Sequence, residues 1–229
     1  MFGALAGVPT PVAAVPRGVR LGKPATLFFE DLDHDVGRCT DAALTALAAA
    51  GAEIVECELP ETALHMDSVQ ALIAAEFIGA FGRERFEASR ADMDPDVWDR
   101  LQPGLDLTAD AYMRLLWRHR EHCRKAPQWM EGLDGWVAPT NPTVAMPVAD
   151  LEEPAGSGRY WDRLGRNTNP ANFMGLCATS TPIQQLGSAL PVGLQVMCRG
   201  DEESRALSIA LWFEELFGLP PQPDLREFL

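Results

Sequence analysis

The sequence predicts an α/β fold, and three observations carry that prediction. Short apolar runs of strand type alternate with longer stretches patterned at helical spacing, and glycine and proline punctuate the joins. A composition of 47% hydrophobic and 23% charged residues over 229 positions leaves ample material for a buried core. The first unit begins after an extended, proline-bearing segment over residues 1–24. Residues 25–30 (ATLFFE) have the pattern of a strand, residues 31–35 that of an acidic turn, and residues 40–50 (TDAALTALAAA) that of a helix. Gly51 then stands where a helix C-terminus favours glycine. Residues 53–59 (EIVECEL) alternate apolar with acidic side chains and stop at Pro60, which suits a strand with one wet face. A helix joining two strands in this way places the strands parallel.

Residues 62–130 are patterned as helices. Leu64, Val69, Leu72, Ile73, Phe77 and Ile78 recur at spacings of three to five, and Asp94-Pro95 has the form of an N-cap followed by proline at the first helical position. Thr108 caps a further helix in which Tyr112, Leu115, Leu116 and His119 share a face, and Pro127 should end or kink it. Residues 134–139 (DGWVAP) form a short strand. Residues 139–188, rich in Pro, Gly and Asn, make a connection longer than a loop ordinarily needs. Residues 190–197 are another strand, and residues 202–217 a largely apolar helix closed by Gly218 and Pro220. No repeat or linker divides the chain, so residues 1–229 are expected to form a single α/β domain.

Charge narrows the partners. Thirty-three acidic against nineteen basic side chains give a net charge of −14, which repels both nucleic-acid phosphates and anionic membrane surfaces. Five cysteines, none in a C-x-x-C pair, indicate neither a disulfide framework nor a zinc ribbon, and fit a reducing cytoplasm. The apolar N-terminus lacks an early cation and is broken by Pro9, Pro11 and Pro16, so it does not have the form of a secretory signal. Lys23 and Lys125 are the only lysines, no two glycines are adjacent, and all seven serines are isolated from one another. A mechanism built on lysine or on a Gly/Ser-rich loop therefore finds little material here.

Three clusters could carry chemistry. Asp31, Asp33 and Asp35 with His34 offer oxygen ligands, but lack the glycine and distal glutamate of an EF-hand loop; a solvated acidic turn explains them more simply. His119, His122 and Cys123 lie about one helical turn apart, yet without zincin spacing or a third ligand nearby. Cys177 sits in an apolar run with no base that the sequence can place beside it, and fits a small buried hydrophobe. No metal or cofactor is indicated.

The proline-rich region has a distinctive order. It contains Asp134-Gly-Trp-Val-Ala-Pro139-Thr140, then Thr168-Asn-Pro170-Ala-Asn172-Phe-Met-Gly175, then Leu190-Pro191-Val192-Gly193-Leu194-Gln195. Prolines and glycines fix turns, while Asn and Gln amides bond loop backbone, so these residues have a purely structural explanation as loop staples. Their order and spacing also resemble the closing blocks of the amidase signature family, serine hydrolases that cleave amide C–N bonds and include the A-type chains of tRNA-dependent amidotransferases. The resemblance covers essentially the whole chain but only the C-terminal half of a full-length member. It implies a mixed β-sheet flanked by helices.

What the family pattern implies for function is specific. The Ser-cisSer-Lys triad of such enzymes belongs to the half that would precede Met1, so no catalytic residue carries over. Lys23 aligns with a basic residue leading into a strand and not with the catalytic lysine. Thr140, Thr168, Asn172 and Gln195 would shape or support a substrate pocket. The chain departs from the pattern at Cys177, where proline is usual, and at Gln184 and Ala189, where glycine is usual. It also has Gly165 where the glutamine-specific members carry an aspartate that reads the substrate's amino group, which argues against glutamine. The expected partners are a small amide substrate and an N-terminal amidase portion. The alternative is a non-catalytic binding module that covers its exposed sheet edge by forming a homo-oligomer.

Overall fold

The computed structural model describes residues 18–59, 67–151 and 163–220, together with Gly7, Val12 and Arg226. Most of the expected extended segment over residues 1–17, and also Pro60, Leu64 and His65, lie outside the described residues.

Five strands form one sheet: β1 (Arg20–Pro24), β2 (Glu53–Cys57), β3 (Gly135–Pro139), β4 (Cys177–Pro182) and β5 (Gly193–Cys198). Their spatial order is β2-β1-β3-β5-β4. β1 runs parallel to both β2 and β3, whereas β5 is antiparallel to β3 and β4, so the sheet is mixed. The helices are α1 (His34–Ala49), α2 (Asp67–Phe81), α3 (Arg83–Ala88), α4 (Pro95–Leu101), α5 (Ala109–Trp129), α6 (Val148–Leu151), α7 (Asn169–Phe173) and α8 (Glu203–Phe217). This is the mixed sheet flanked by helices that the family resemblance implied.

The first strand is not where the apolar run placed it. β1 is Arg20–Pro24, and residues 25–30 turn away from the sheet, with Leu27 (φ 64°) and Asp31 (φ 45°) in the left-handed region. The apolarity of this run serves as an anchor: Phe28 is fully buried beside Met130, Leu133 and Trp136. β1 itself contains Gly22, Lys23 and Pro24, which are poor strand formers, but at Gly22 packing requires glycine. A Cβ built on Gly22 would lie 2.7 Å from both Leu133 Cδ1 and Trp136 Cδ1, so only glycine lets these side chains close over the strand. β2 lies within the span expected, parallel to β1, with Arg20 opposite Glu53.

α1 starts at His34, ahead of the alanine-rich stretch, because Val36 and Cys39 already face the core with Ala43, Leu44 and Leu47. Gly51 adopts φ 99° just after the helix. The Asp94 carboxylate accepts hydrogen bonds from the N–H groups of Asp96 (2.9 Å) and Val97 (3.2 Å), and Thr108 Oγ1 accepts from Ala111 N–H (3.4 Å), so both expected caps form. Pro127 neither ends nor breaks α5 before Trp129, since it falls in the last turn where little helix remains to disrupt. The largest revision concerns residues 139–188, which contain α6, α7, β4 and a 3₁₀ turn (Gln184–Leu186) in place of a long loop. β4 (CATSTP) escapes detection because its exposed face carries Ala178 and Ser180 and its apolar content is low. β5 begins at Gly193, three residues later than the apolar run.

Two cores lie on opposite faces of the sheet. Leu194, Val196 and Cys198 of β5 point into the core under α1 and α8, while Met197 points to the other face with Trp136, Ala138, Ala171 and Met174. A separate helical lobe, inserted between β2 and β3, buries Ala74, Ile78, Phe86, Trp98 and Leu101. Its centre is a parallel stack of Phe86 on Trp98, with centroids 4.5 Å apart and planes 5° from parallel. Among the described residues no helix is long and apolar enough to cross a membrane.

The lobe depends on close contact between α2 and the 3₁₀ turn Gln102–Leu105. A Cβ on Gly104 would meet the backbone of α2, at 2.6 Å from Ala74 C and 2.9 Å from Ala75 N. Gly104→Ala should therefore destabilise the lobe by about 1–3 kcal/mol. Urea unfolding followed by tryptophan fluorescence checks this through Trp98; an unchanged midpoint would show that the turn can back away without cost.

Candidate functional site

The site is built on the end of β3 where three strands come together. Strand alternation places Gly193 and Gln195 on the same face as Met197, and Thr140 continues β3 opposite Gly193, its N–H donating to Gly193 O at 2.8 Å. Ser180 of β4 lies opposite Gln195. The hydroxyls of Thr140 and Ser180 meet at 2.6 Å, bridging across β5. They can do so only because residue 193 has no side chain: a Cβ there would stand 2.6 Å from Ser180 Oγ and 2.8 Å from Thr140 Oγ1. Ala178 and Ser180 are exposed on this face, whereas the reverse side of β4 packs against α8, where Thr179 Oγ1 donates to Ala206 O (3.5 Å).

Gln195 is 2% exposed, and its amide is committed to backbone: Nε2 donates to Asn167 O (2.8 Å) and Pro139 O (3.3 Å). Asn167, fully buried, donates from Nδ2 to Phe28 O and Pro139 O, both at 2.9 Å. The two amides thus tie together the loop after β1, the end of β3 and the approach to α7. Gln195 is a positioning residue in this geometry. Asn167 is a residue that sequence reasoning missed; the available signal was an asparagine directly before the Thr168-Asn169-Pro170 helix start in an already Asn-rich stretch.

Thr168 and Asn172 stand at the two ends of the short helix α7 and face different cavities. Thr168, whose Oγ1 donates to Gly165 O (3.4 Å), lines a polar cavity of about 630 Å³ with Gln70, Arg100, Asn141, Gly165 and Asn169. Asn172 is exposed and borders a cavity of about 300 Å³ made by Val69, Leu72, Ile73, Glu76, His119 and Phe173. Thr140 and Thr168 thus each directly follow a residue of the amide network, Pro139 and Asn167, to which Gln195 is bonded, whereas Asn172 borders a different cavity.

The other clusters have structural explanations. Asp33 receives Thr143 Oγ1 (2.6 Å), Val144 N–H (3.1 Å) and Arg163 Nη2 (2.9 Å), and Arg163 also reaches Asp31 (3.5 Å). Burial alone would raise the Asp33 carboxyl, but these three donors outweigh it and hold its pKa below the usual aspartate value. Asp35 pairs with Arg38 at 2.9 Å. The acidic turn thus ties Thr143 and Val144 to Arg163.

His119 and His122 both pack on the Phe173 ring, His122 Nδ1 lies 2.7 Å from Arg118 O, and the Cys123 thiol donates to Phe173 O (3.5 Å). Among the described residues no three His, Cys, Asp or Glu side chains form a group able to hold a metal ion. The Cys177 thiol donates to Arg199 O (3.1 Å) and burial raises its pKa, so it is not poised as a nucleophile. Burial pushes Cys198 up to about 12. Both lysines are engaged with glutamates, Lys23 with Glu56 (3.3 Å) and Lys125 with Glu121 (2.7 Å). Ser188 donates to Asp35 (3.3 Å) and accepts from Leu190 N–H (3.1 Å).

Comparison with known proteins bears on the family and the fold. The Amidase family model matches residues 6–207. The chain is 29% identical to the 2-amino-5-chloromuconic acid deaminase of Comamonas testosteroni, over 96% of its own length and 48% of that protein. It is 26% identical to an indoleacetamide hydrolase of Allorhizobium ampelinum (87% and 47% covered). A further relative is the indoleacetamide hydrolase of Rhizobium radiobacter, 27% identical (93% and 50%). Among solved structures, an amidase superposes with a TM-score of 0.80 at 23% identity, covering 94% of this chain and 49% of that one. The peptide amidase of Stenotrophomonas maltophilia gives a TM-score of 0.66 at 22% identity (92% and 45%). The chain spans about half the length of the curated relatives it matches.

Gln195→Leu removes the donor that joins Pro139 to Asn167 and leaves the buried Asn167 carbonyl short of a partner, while Pro139 O keeps the Asn167 amide, so stability should fall by about 1–3 kcal/mol. Chemical denaturation checks it, and a loss within error would mean that Asn167 alone secures the site. Asp33→Asn should be less stable than the parent at neutral pH. Because the folded carboxyl is depressed, its contribution is complete above the ordinary aspartate value of about 3.9 and is lost as pH falls through the lower folded value. The gap between parent and variant should therefore narrow in acid, as thermal melts across pH 2–7 would register.

Proposed function

Because this chain belongs to the amidase family, we propose that it contributes the pocket-forming portion of an amide C–N hydrolase whose nucleophile and base come from the portion of such enzymes it does not span. The observation that carries this reading is the hydroxyl-bearing face at the end of β3. Thr140 and Ser180 converge over Gly193 on a side of β4 where Ala178 and Ser180 are exposed, while the opposite side is packed under α8.

Amide hydrolysis needs a nucleophile with a base beside it. Among the described residues Ser180 meets only the Thr140 hydroxyl within hydrogen-bond reach, and both lysines are held in glutamate pairs. An unactivated serine is a weak nucleophile at neutral pH. The chain's own contribution is then shape and support: Thr140 and Thr168 present hydroxyls to a small amide substrate, Asn172 borders the neighbouring apolar cavity, and Gln195 holds Pro139 and Asn167 in place. The missing portion would cover the open face of β4 with the catalytic loop. No cofactor enters this scheme. The five free thiols suit a cytoplasmic setting.

The uncovered edge and face of β4 also favour a second reading, a non-catalytic module of the same lineage that covers this surface by self-association. One set of measurements separates them. The purified chain alone should not hydrolyse simple aliphatic or aryl amides, and mixing with a separately produced N-terminal amidase portion should restore turnover. In the restored enzyme Thr140→Val should lower kcat/KM by about three- to tenfold, the worth of one hydrogen bond. Robust turnover by the chain alone would overturn the division of labour. A stable homo-oligomer in light scattering that takes up no second portion would favour the module.

A further inference from the structure

The edge strand β4 opens on a cysteine, and its neighbour β5 closes on one. Their antiparallel register sets Cys177 directly opposite Cys198. Residues opposite one another across a ladder project to the same face of the sheet. Here that face is the core under α1 and α8, in which Cys198 is fully buried and against which Cys177, half-buried, packs. No other cysteine stands opposite a cysteine in the sheet: Cys39 and Cys123 lie on α1 and α5, and Cys57 faces Pro24.

The phase of the ladder fixes how close the two come. Ile183 N–H donates to Val192 O (2.8 Å) one step beyond the strand ends, and ladder bonds recur at every second residue, so Cys177 and Cys198 form a hydrogen-bonded pair. In such a pair the Cα atoms are about 5.5 Å apart, within the range that a disulfide spans. The Cβ atoms, about 5–5.5 Å apart, exceed the roughly 3.5–4.5 Å of a relaxed one. The bond is therefore reachable but strained, and strain makes a disulfide easier to reduce. Each thiol has only a backbone carbonyl to give up. Cys177 donates to Arg199 O (3.1 Å), and Cys198 donates to Asp134 O (3.4 Å) on the β3 side, where a Cβ at Gly135 would stand 3.2 Å from its sulfur. Because β5 lies between β3 and β4, turning Cys198 about its Cα–Cβ bond to another staggered position carries the sulfur from the β3 side towards β4.

We infer that Cys177 and Cys198 are a modification site, a thiol pair that closes to a reversible cross-strand disulfide when a low-molecular-weight disulfide such as oxidised glutathione is present. The Cys177 thiolate attacks one sulfur of the oxidant, its S–S bond breaks, and one glutathione thiolate leaves. The Cys198 thiolate then attacks the Cys177 sulfur of the mixed disulfide and releases the second. The two protein thiols lose two electrons and two protons, and the oxidant gains them as two glutathione thiols. Burial raises both protein thiols, Cys198 to about 12, so the exchange is slow and the half-buried Cys177 is the point of entry. The link fastens β4 to its one neighbouring strand among the described residues, close to Ser180 on the same strand. It is independent of whether the chain is completed to a hydrolase.

Equilibration of the folded, purified chain with excess oxidised glutathione at mildly alkaline pH, followed by alkylation of the remaining thiols and peptide mass spectrometry, tests the pair. Linked peptides carrying Cys177 and Cys198 should exceed every other cysteine pairing at least tenfold. Transfer to excess reduced glutathione should return both thiols. Cys198→Ser should lose the link and accumulate Cys177 as its glutathione adduct, whereas Cys39→Ser, in the same core, should leave the link unchanged. If Cys198→Ser does not fold, Cys177→Ser serves instead and should leave Cys198 unmodified. Glutathione on Cys177 of the parent with no link to Cys198, a link that forms only in urea, a preference for another pairing, or a link that survives excess reduced glutathione would each overturn the inference.

Discussion

Two buried amide side chains, Gln195 and Asn167, hold the rest of this structure in register. Between them they donate four hydrogen bonds to three carbonyls, those of Phe28, Pro139 and Asn167 itself. A buried carbonyl without a partner costs about 1–3 kcal/mol, so the region closes only when the loop after β1, the end of β3 and the approach to α7 all reach their places together. Everything proposed for function sits on this knot. Thr140 follows Pro139 in sequence, Thr168 follows Asn167, and Ser180 is paired across the sheet with Gln195. The hydroxyls that would meet a substrate are therefore placed by interactions that never touch one.

The sheet is unequally covered. One face is closed by α1 and α8 over an apolar core; on the other, the described residues that close it are 26–30, α7 and the end of α5. Open ground remains over β4, where small side chains follow one another on the exposed side. Small residues on an open sheet face leave room for another backbone to approach, and Gly193 extends the same logic to the neighbouring strand. Length agrees with this picture, since relatives of established family carry about twice as much chain.

Much of the architecture was legible in the sequence where a local rule coincided with the tertiary one. Asp94-Pro95 and Thr108 cap helices because their side chains can bond the first N–H groups whatever surrounds them. The apolar centre of β3, Trp136 to Ala138, is buried on both sides and its sequence shows it. The failures share a cause. Residues 25–30 look like a strand because they are apolar, but Phe28 is buried as a loop anchor, while the true strand contains a glycine, Gly22, that close packing requires. β4 was invisible because a strand with one exposed face need not be apolar on that side. At the site, Gln195 could be nominated from a motif, but its pairing with Asn167 spans 28 residues, and no pattern within either segment points to the other.

The placement of β1 has a consequence for how the chain reaches this state. Leu21 pairs with Gly135, so the centre of the sheet closes only when the ends of the whole intervening stretch meet. Loop closure of that span is entropically slow compared with forming helices. The inserted lobe is different in kind: the Phe86–Trp98 stack and the caps at Asp94 and Thr108 are contacts between near neighbours along the chain. It can thus condense early as a compact spacer that brings the two sheet-forming segments within reach. On this view the helices between β2 and β3 act first as a folding device, shortening the search for the strand pair on which the buried amide knot later closes.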